Sequence, residues 1–232
     1  MKPSTPPEAT VSAAKERLLT EALIFGLLAA AAALALFTWL GREILTGVAP
    51  AFDEHIRQAL YQKATPTLTG IMRFVSRYGG PAGLMPLGLV LAIAFLIRGW
   101  RRGAFLVIVT MAGAGLLDVL LKLSFGRTRP TPFFEYPLPA TASFPSGHAL
   151  FAASFFGGLA VLVSHRVRHR LLRLLIWVGA AAIVALVGLS RIYLGVHYPS
   201  DVLAGYAVAT IWVAAVAFGD RVVTHRRWRR AA

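Results

Sequence analysis

The 232-residue sequence contains no cysteine, which excludes disulfide bonds, zinc–thiolate sites and thiol nucleophiles. Charged residues make up only 15% of the chain, whereas a soluble domain carries about a quarter. Acidic residues are the scarcest of these, with 10 Asp and Glu against 24 Lys and Arg. This shortage of charge excludes a disordered chain, a coiled coil and most soluble globular domains.

Hydrophobic residues, by contrast, make up 57% of the chain. A helix needs about 20 mostly apolar residues to cross a bilayer, and six stretches approach or reach that length. The six stretches are 22–40, 81–97, 104–121, 148–163, 171–189 and 202–218. Their apolar residues are continuous rather than alternating, which favours helices over the strands of a closed barrel. The sequence therefore predicts an all-α, polytopic membrane bundle of six transmembrane helices.

The segment 51–80 has a different pattern, in which apolar residues recur at helical spacing among polar ones. Phe52, Ile56 and Leu60 are spaced four residues apart, and Thr65-Pro66 is typical of a helix start. We predict two short amphipathic helices here, which either lie in the membrane interface or simply pack on the bundle.

The basic residues predict how the bundle is oriented. With six spans, the tail 1–20, the loops 98–103 and 164–170 and the tail 220–232 lie on one side. That side and the adjacent helix ends hold 15 of the 24 Lys and Arg residues. By the positive-inside rule both termini are cytoplasmic, in an inner (cytoplasmic) membrane, around a transmembrane domain over 21–219. The charge of +14 then indicates topology rather than a nucleic-acid partner.

Two of the outward segments, 122–148 and 190–201, contain cations close to the apolar helices. Lys122, Arg129 and Arg191 are costly so near hydrocarbon unless they are paired or functional. Three cations with one nearby carboxylate indicate an anionic ligand, since Arg supplies forked donors for phosphate oxygens and Lys a point charge.

Histidines accompany these cations. Ser146 and Gly147 precede an apolar helix whose first free amides can hold an anion, and His148 follows them directly. His197 and Asp201 are four residues apart, and an Asp that accepts from one ring nitrogen leaves a lone pair on the other. That lone pair can attack phosphorus while a second, protonated His supplies the proton of the leaving group. This pattern predicts phosphoryl transfer through a phospho-histidine.

We expect no metal or other cofactor. The cations can neutralise the charge that Mg²⁺ neutralises elsewhere. The carboxylates are too few and too scattered for a Mg²⁺ or Ca²⁺ site.

Three motifs in this order resemble the type 2 phosphatidic acid phosphatase superfamily. They are Lys-x6-Arg-Pro at 122–130, Pro-Ser-Gly-His at 145–148 and Ser-Arg-x5-His-x3-Asp at 190–201. Members include membrane lipid phosphatases, glucose-6-phosphatase and vanadium haloperoxidases. All three motifs match without departure, and the six-span layout extends the resemblance to roughly 20–220.

The resemblance implies a role for each matching residue. His197 would be the nucleophile, Asp201 its orienting partner, and His148 the general acid that later helps to activate water. The phosphate oxygens would be held by Lys122, Arg129, Ser146, Gly147 and Arg191.

The function implied is an integral membrane phosphatase that hydrolyses lipid or polyprenyl (pyro)phosphates at the extracytoplasmic face. The small size resembles bacterial undecaprenyl pyrophosphate phosphatases and phosphatidylglycerophosphate phosphatases, and lipid A phosphatases share the motifs. Alternatives are a lipid phosphotransferase on the same scaffold and a non-catalytic lipid-binding or transport protein. The known haloperoxidases are soluble, so six spans argue against that activity.

Two charged residues near the motifs allow more than one interpretation. Arg127 is either a fourth phosphate or headgroup contact or a solvated loop charge. Asp118, one turn before Lys122, either pairs with that lysine or bonds to a neighbouring helix.

Overall fold

The computed structural model describes the backbone of residues 8–48, 50–164 and 166–231, and side-chain surroundings over 24–48, 50–164 and 166–224. Within these ranges all regular structure is helical, which confirms the all-α prediction. The helices are α1 Glu8–Leu45, α2 Phe52–Gln62, α3 Pro66–Gly79, α4 Pro81–Ile97, α5 Arg101–Phe125, α6 Gly147–Ala152, α7 Gly158–Ser164, α8 Arg170–Tyr193 and α9 Pro199–Ala231. A π-helical turn, Ala153–Gly157, joins α6 to α7.

Five of the described segments are long and apolar enough to cross a membrane. They are Ile24–Leu45, Arg101–Phe125, Gly147–Ser164, Arg170–Tyr193 and Pro199–Thr224. The predicted span 81–97 is α4, which has only 17 residues and meets the length requirement only together with α3. These two helices are bent by 48° at their junction, so the bundle has six spans if the pair counts as one.

The helix ends follow local rules. The Thr65 side chain accepts a hydrogen bond from the Leu68 N–H at 3.2 Å, with Pro66 as the first helical residue, as the sequence predicts. Gly126 ends α5 in the left-handed region, at φ +58°, where its N–H donates to the Lys122 carbonyl at 3.1 Å. That turn leads the chain from α5, which contains Lys122, into the loop with Arg127 and Arg129.

The core lies between α4, α5, α6, α8 and α9. Leu84, Met111, Phe151 and Val208 are buried in it. The outer faces of α1 and α8 expose large apolar side chains instead, among them Leu28 and Leu174. Helices that are apolar both towards the core and on their outer face are typical of bundles whose outer face contacts lipid.

The beginning of α6 packs unusually closely against α9. A Cβ atom at Gly205 would lie 2.7 Å from the carbonyl oxygen of Ser146. The Ser146 N–H donates to the carbonyl oxygen of Asp201 at 2.9 Å. Glycine at position 205 therefore allows the Ser146 turn to reach the first turn of α9.

Helix α2 turns its polar face inward. Asp53 and Arg57 are 2% and 4% exposed, whereas Ile56 from the apolar stripe is 38% exposed. The reason is that α2 packs on the ends of α8 and α9, where polar partners are available, and leaves Ile56 to the surroundings. The helix packs on the bundle, as one of the two alternatives predicts, since Phe52 and Leu60 of the apolar stripe lie against buried clusters.

Candidate active site

The predicted site residues lie where the C-terminal ends of α5 and α8 meet the N-terminal ends of α6 and α9. The connecting loops are shorter than the predicted segments, since α5 continues to Phe125 and α8 to Tyr193. Lys122 and Arg191 are therefore on helix ends, whereas Arg129 and His197 are on loops. The structure brings the predicted residues together at one end of the bundle.

His197 is 2% exposed and lies two residues before α9. Its Nδ1 is 3.2 Å from Oδ2 of Asp201, in the first turn of that helix. The backbone N–H of Tyr198 donates to the same oxygen at 2.9 Å. The pair is therefore formed across a loop-to-helix turn rather than on the face of a continuous helix.

The other ring nitrogen of His197 faces Arg129. A guanidinium can only donate, so Nη1 of Arg129, 3.0 Å from Nε2, assigns the lone pair to Nε2 and the proton to Nδ1. Arg129 is held in place by the carbonyls of Val196 at 2.9 Å and Thr141 at 2.8 Å. Burial lowers the pKa of His197 to about 4, although Asp201 acts in the opposite direction. The imidazole is thus a neutral base at physiological pH.

Asp201 is held by residues that the sequence analysis did not assign to the site. Its Oδ1 accepts from Arg127 at 2.6 Å, and the Ser143 hydroxyl donates to its Oδ2. The same guanidinium donates to Asp53 at 3.0 Å and to the Ser200 hydroxyl at 2.8 Å. With a side chain 9% exposed and two carboxylate partners, Arg127 is an internal cation. The interpretation of Arg127 as a solvated loop charge is therefore wrong, whereas its contact with a phosphate or headgroup stays a prediction.

Lys122 forms an ion pair with Asp118, one of the two alternatives for that carboxylate, at 2.8 Å. Gly147 is directly beside this pair. A Cβ atom at position 147 would lie 2.7 Å from Oδ1 of Asp118 and 3.1 Å from Nζ of Lys122. The absence of a side chain thus lets the ammonium group approach the first residue of α6.

Four polar atoms at this end of the bundle are buried without a hydrogen-bond partner among the described residues: Oγ of Ser146, Nε of Arg191, Nε of Arg57 and Oδ1 of Asp118. Two of these atoms, Oγ of Ser146 and Nε of Arg191, are donors on residues that the sequence predicts to hold phosphate. Arg191 is 2% exposed, and its Nη1 donates to the hydroxyl of Ser76 in α3. Native proteins rarely leave such atoms unsatisfied, so a ligand that accepts from both fits the site.

His148 lies against the junction of α3 and α4. A Cβ atom at Gly80 would be 2.3 Å from Nε2 of His148, so only glycine leaves room for the ring. Lys122, Arg191 and His197 are close enough to act electrostatically on His148. The bend between α3 and α4 thus makes space for the second histidine of the site.

Sequence reasoning missed Asp53, Ser76, Gly80 and Ser143. None of these residues carries a signal in the sequence. Asp53 looks like a solvated charge of the amphipathic segment 51–80, and Ser and Gly are common in any chain.

No cluster of three or more His, Asp or Glu side chains suited to a metal is found within the described residues. The three carboxylates nearest the predicted residues each contact a cation: Asp53 and Asp201 contact Arg127, and Asp118 contacts Lys122. The arrangement combines a neutral imidazole lone pair, a second histidine and three cations. Chemically it can bind a phosphate group and transfer it.

Known proteins share this architecture. The model of the PAP2 superfamily matches residues 103–222. Phosphatidylglycerophosphatase B of Bacillus subtilis is 30% identical over 75% of this chain and 86% of its own length. The undecaprenyl-diphosphatase of Sulfolobus acidocaldarius is 29% identical over 70% of this chain and 75% of its own length. The crystal structure of a transmembrane PAP2-type phosphatidylglycerolphosphate phosphatase from Bacillus subtilis superposes with a TM-score of 0.73, at 28% identity, over 84% of this chain and 96% of that one.

Proposed function

The chain belongs to the PAP2 superfamily, and we propose that it is an integral membrane phosphatase that hydrolyses lipid or polyprenyl phosphates through a phospho-histidine. The observation that carries the proposal is the state of His197. Asp201 accepts from its Nδ1, and its Nε2 lone pair is directed at the guanidinium of Arg129. A neutral imidazole with a fixed tautomer beside a cation is what nucleophilic attack on a phosphate requires.

In the first step the substrate phosphate replaces Nε2 as the acceptor of the Arg129 donor. His197 then attacks in line, so the Nε2–P bond forms as the P–O bond to the lipid breaks. His148, protonated at this stage, gives its proton to the departing oxygen. Lys122, Arg129 and Arg191 share the charge of the phosphoryl oxygens, and the orphaned hydroxyl of Ser146 and the amide of Gly147 complete the contacts.

In the second step water releases the phosphate. His148, now neutral, takes a proton from a water molecule, whose oxygen attacks phosphorus as the Nε2–P bond breaks. The products are inorganic phosphate, free His197 and a protonated His148. Asp201 keeps the proton on Nδ1 throughout and stabilises the positive charge of the phosphorylated ring.

Charge neutralisation by protein cations supports a reaction without a metal ion. Guanidinium and ammonium groups stabilise the trigonal phosphoryl group, as Mg²⁺ does in many phosphotransferases. The relatives named above support a phosphate or diphosphate attached to a membrane lipid as the substrate. Its tail stays in the bilayer, while its phosphate reaches the cations at the helix ends.

The distribution of basic residues supports an extracytoplasmic site. Arg98, Arg101, Arg166 and Arg168 lie on the helix ends and loops opposite the site. Since basic residues concentrate on the cytoplasmic side, the site faces outward in an inner membrane and both tails are cytoplasmic.

The test is phosphate release by the purified protein in EDTA, on a panel of polyprenyl pyrophosphate, phosphatidylglycerophosphate, phosphatidic acid and lipid A. We expect release from at least one lipid, and acid-labile label on the protein when its phosphate is radioactive. His197→Ala should abolish both, whereas His169→Ala, an exposed histidine at the opposite end, should leave both unchanged. Loss of all activity in EDTA, or near-normal release by His197→Ala, would overturn the mechanism. Label that moves to a lipid or sugar acceptor would instead identify a phosphotransferase.

A further inference from the structure

The inward polar face of α2 reaches the nucleophile through a continuous set of buried contacts. Asp53 accepts from Arg127 at 3.0 Å, from the N–H of Ser200 at 2.8 Å and from the Ser200 hydroxyl at 2.6 Å. Arg127 donates to Asp201 at 2.6 Å, and Asp201 accepts from His197. Three separate parts of the chain therefore meet at one guanidinium: α2, the loop after α5 and the first turn of α9.

The charges in this set alternate. Arg127 lies between two carboxylates that are 2% and 0% exposed, so its single positive charge is shared by Asp53 and Asp201. The guanidinium is planar and its donors are fixed in direction. Its contact with Asp53 therefore determines how it presents its other donors to Asp201.

The orientation of Asp201 matters because its two oxygens have different partners. Oδ1 is bound by Arg127, which leaves Oδ2 for His197, for the N–H of Tyr198 and for the Ser143 hydroxyl. Rotation of the carboxylate would remove the acceptor from Nδ1 of His197. The proton could then move to Nε2, and the lone pair would be on the wrong nitrogen.

We propose that Asp53 and Arg127 are positioning residues for the nucleophile, which fix Asp201 and through it the tautomer and direction of His197. The inference rests on the proposed role of His197. It extends the site to helix α2, which lies outside the region matched by the family model.

Additional contacts hold α2 in this position. Nη2 of Arg57 donates to the carbonyl of Thr131 at 2.8 Å, and its guanidinium lies 4.9 Å from the centre of the Phe133 ring. The same guanidinium lies 5.3 Å from the ring centre of Tyr198, the residue that follows the nucleophile. Arg57 and Asp53 are one turn apart, so one face of α2 contacts both loops of the site.

The test is the substitution Asp53→Asn, with Glu54→Gln as the matched control. Both changes remove one carboxylate from the first turn of α2, but Glu54 is exposed and contacts Arg57 rather than Arg127, a contact that the amide oxygen of glutamine can keep. We expect Asp53→Asn to lower kcat by roughly ten- to a hundredfold with KM little changed, because partners that orient a reacting group have effects of this size. Glu54→Gln should retain the wild-type kcat.

A double-mutant cycle separates positioning from general damage. Arg127→Gln alone leaves Asp53 and Asp201 without their cation, and we expect a larger loss of kcat than for Asp53→Asn. If the two residues act as one unit, Asp53→Asn combined with Arg127→Gln loses less than the product of the single losses. Ser200→Ala removes one donor to Asp53 without unpairing a charge, so it supplies a milder variant if the others do not fold.

The outcomes distinguish this inference from the proposed function. The positioning role would be overturned by a wild-type kcat in Asp53→Asn or Ser200→Ala, or by equal losses in Asp53→Asn and Glu54→Gln. It would also be overturned if the two single losses simply multiply in the double variant. In each of these cases an inactive His197→Ala would leave the phosphatase mechanism intact. Activity in His197→Ala would instead remove the mechanism on which the inference depends. The chain has five tryptophans, so their intrinsic fluorescence reports folding in every variant.

Discussion

Nη1 of Arg129 lies 3.0 Å from Nε2 of His197, the nitrogen that would attack phosphorus. The Arg129 donor therefore lies where the lone pair of His197 is directed. A phosphate oxygen that takes over this donor brings its phosphorus towards the lone pair. Binding and alignment of the substrate would thus be one event.

The first prediction concerns the acceptor for Nδ1. Asp201→Asn keeps the shape of the side chain but lets it donate to Nδ1, so the ring adopts the other tautomer. We expect a fall in kcat of about 10⁴-fold, the size seen when an aspartate of this kind is neutralised. The control is Asp220→Asn, which breaks an ion pair with Arg102 at the opposite end of the bundle and should leave kcat unchanged. Equal kcat values for the two variants would contradict the role of Asp201.

The second prediction concerns pH. Burial places the pKa of His197 at about 4 in the folded protein, against about 6.5 in an unfolded chain. Above pH 6.5 neither state protonates His197, so the free energy of unfolding does not depend on this residue's titration. Below pH 6.5 the unfolded state binds the proton first, so the free energy of unfolding decreases from there down to about pH 4. Thermal unfolding between pH 7 and 4.5 should show a steeper loss of Tm for wild type than for His197→Gln. Parallel curves would show that His197 is not buried as a neutral base.

The third prediction concerns Gly147. A methyl group there would meet Oδ1 of Asp118 and Nζ of Lys122, so Gly147→Ala should displace the lysine from the phosphate. We expect a loss of at least about tenfold in kcat/KM, the cost of one misplaced charge-assisted contact. Gly157→Ala is the control, because a Cβ atom there has no neighbour within 4 Å. Unchanged kcat/KM in Gly147→Ala would exclude Lys122 from the phosphate site.

The fourth prediction concerns Gly80. Gly80→Ala should force the ring of His148 away from the α3–α4 junction, since the new methyl would overlap Nε2. If His148 protonates the leaving oxygen, kcat should fall most for lipids with poor leaving groups. Gly70→Ala in α3 has open space around the new methyl and should behave like wild type. Wild-type rates on every lipid would argue against His148 as the acid.

The fifth prediction concerns orientation. Because the chain lacks cysteine, single thiols can be introduced without removing any. Leu138 is exposed in the loop beside the site, and Arg168 is exposed at the opposite end of the bundle. The two variants are Leu138→Cys and Arg168→Cys. A membrane-impermeant maleimide added to intact cells should label position 138 and not 168. The reverse result would place the site in the cytoplasm.

The helical bundle and the position of the motifs could be predicted because both depend on local pattern. Apolar run length determines the spans, and the order of the three motifs indicates which helix ends must meet. The orienting partners could not be predicted in the same way. Asp53 looks like a solvated charge in an amphipathic helix, and only packing reveals that Arg127 lies opposite it. Gly80 likewise gains its importance from a ring nearly seventy residues later in the chain.

The boundary of the matched region, 103–222, cuts through the machinery of the site. Asp53, Ser76 and Gly80 precede it, yet they contact Arg127, Arg191 and His148 inside it. A chimera that joined this region to the first hundred residues of a relative would need compatible side chains at all three positions. Residues 103–222 are therefore not an interchangeable module, because their contacts with the preceding helices restrict which N-terminal halves can be recombined with them.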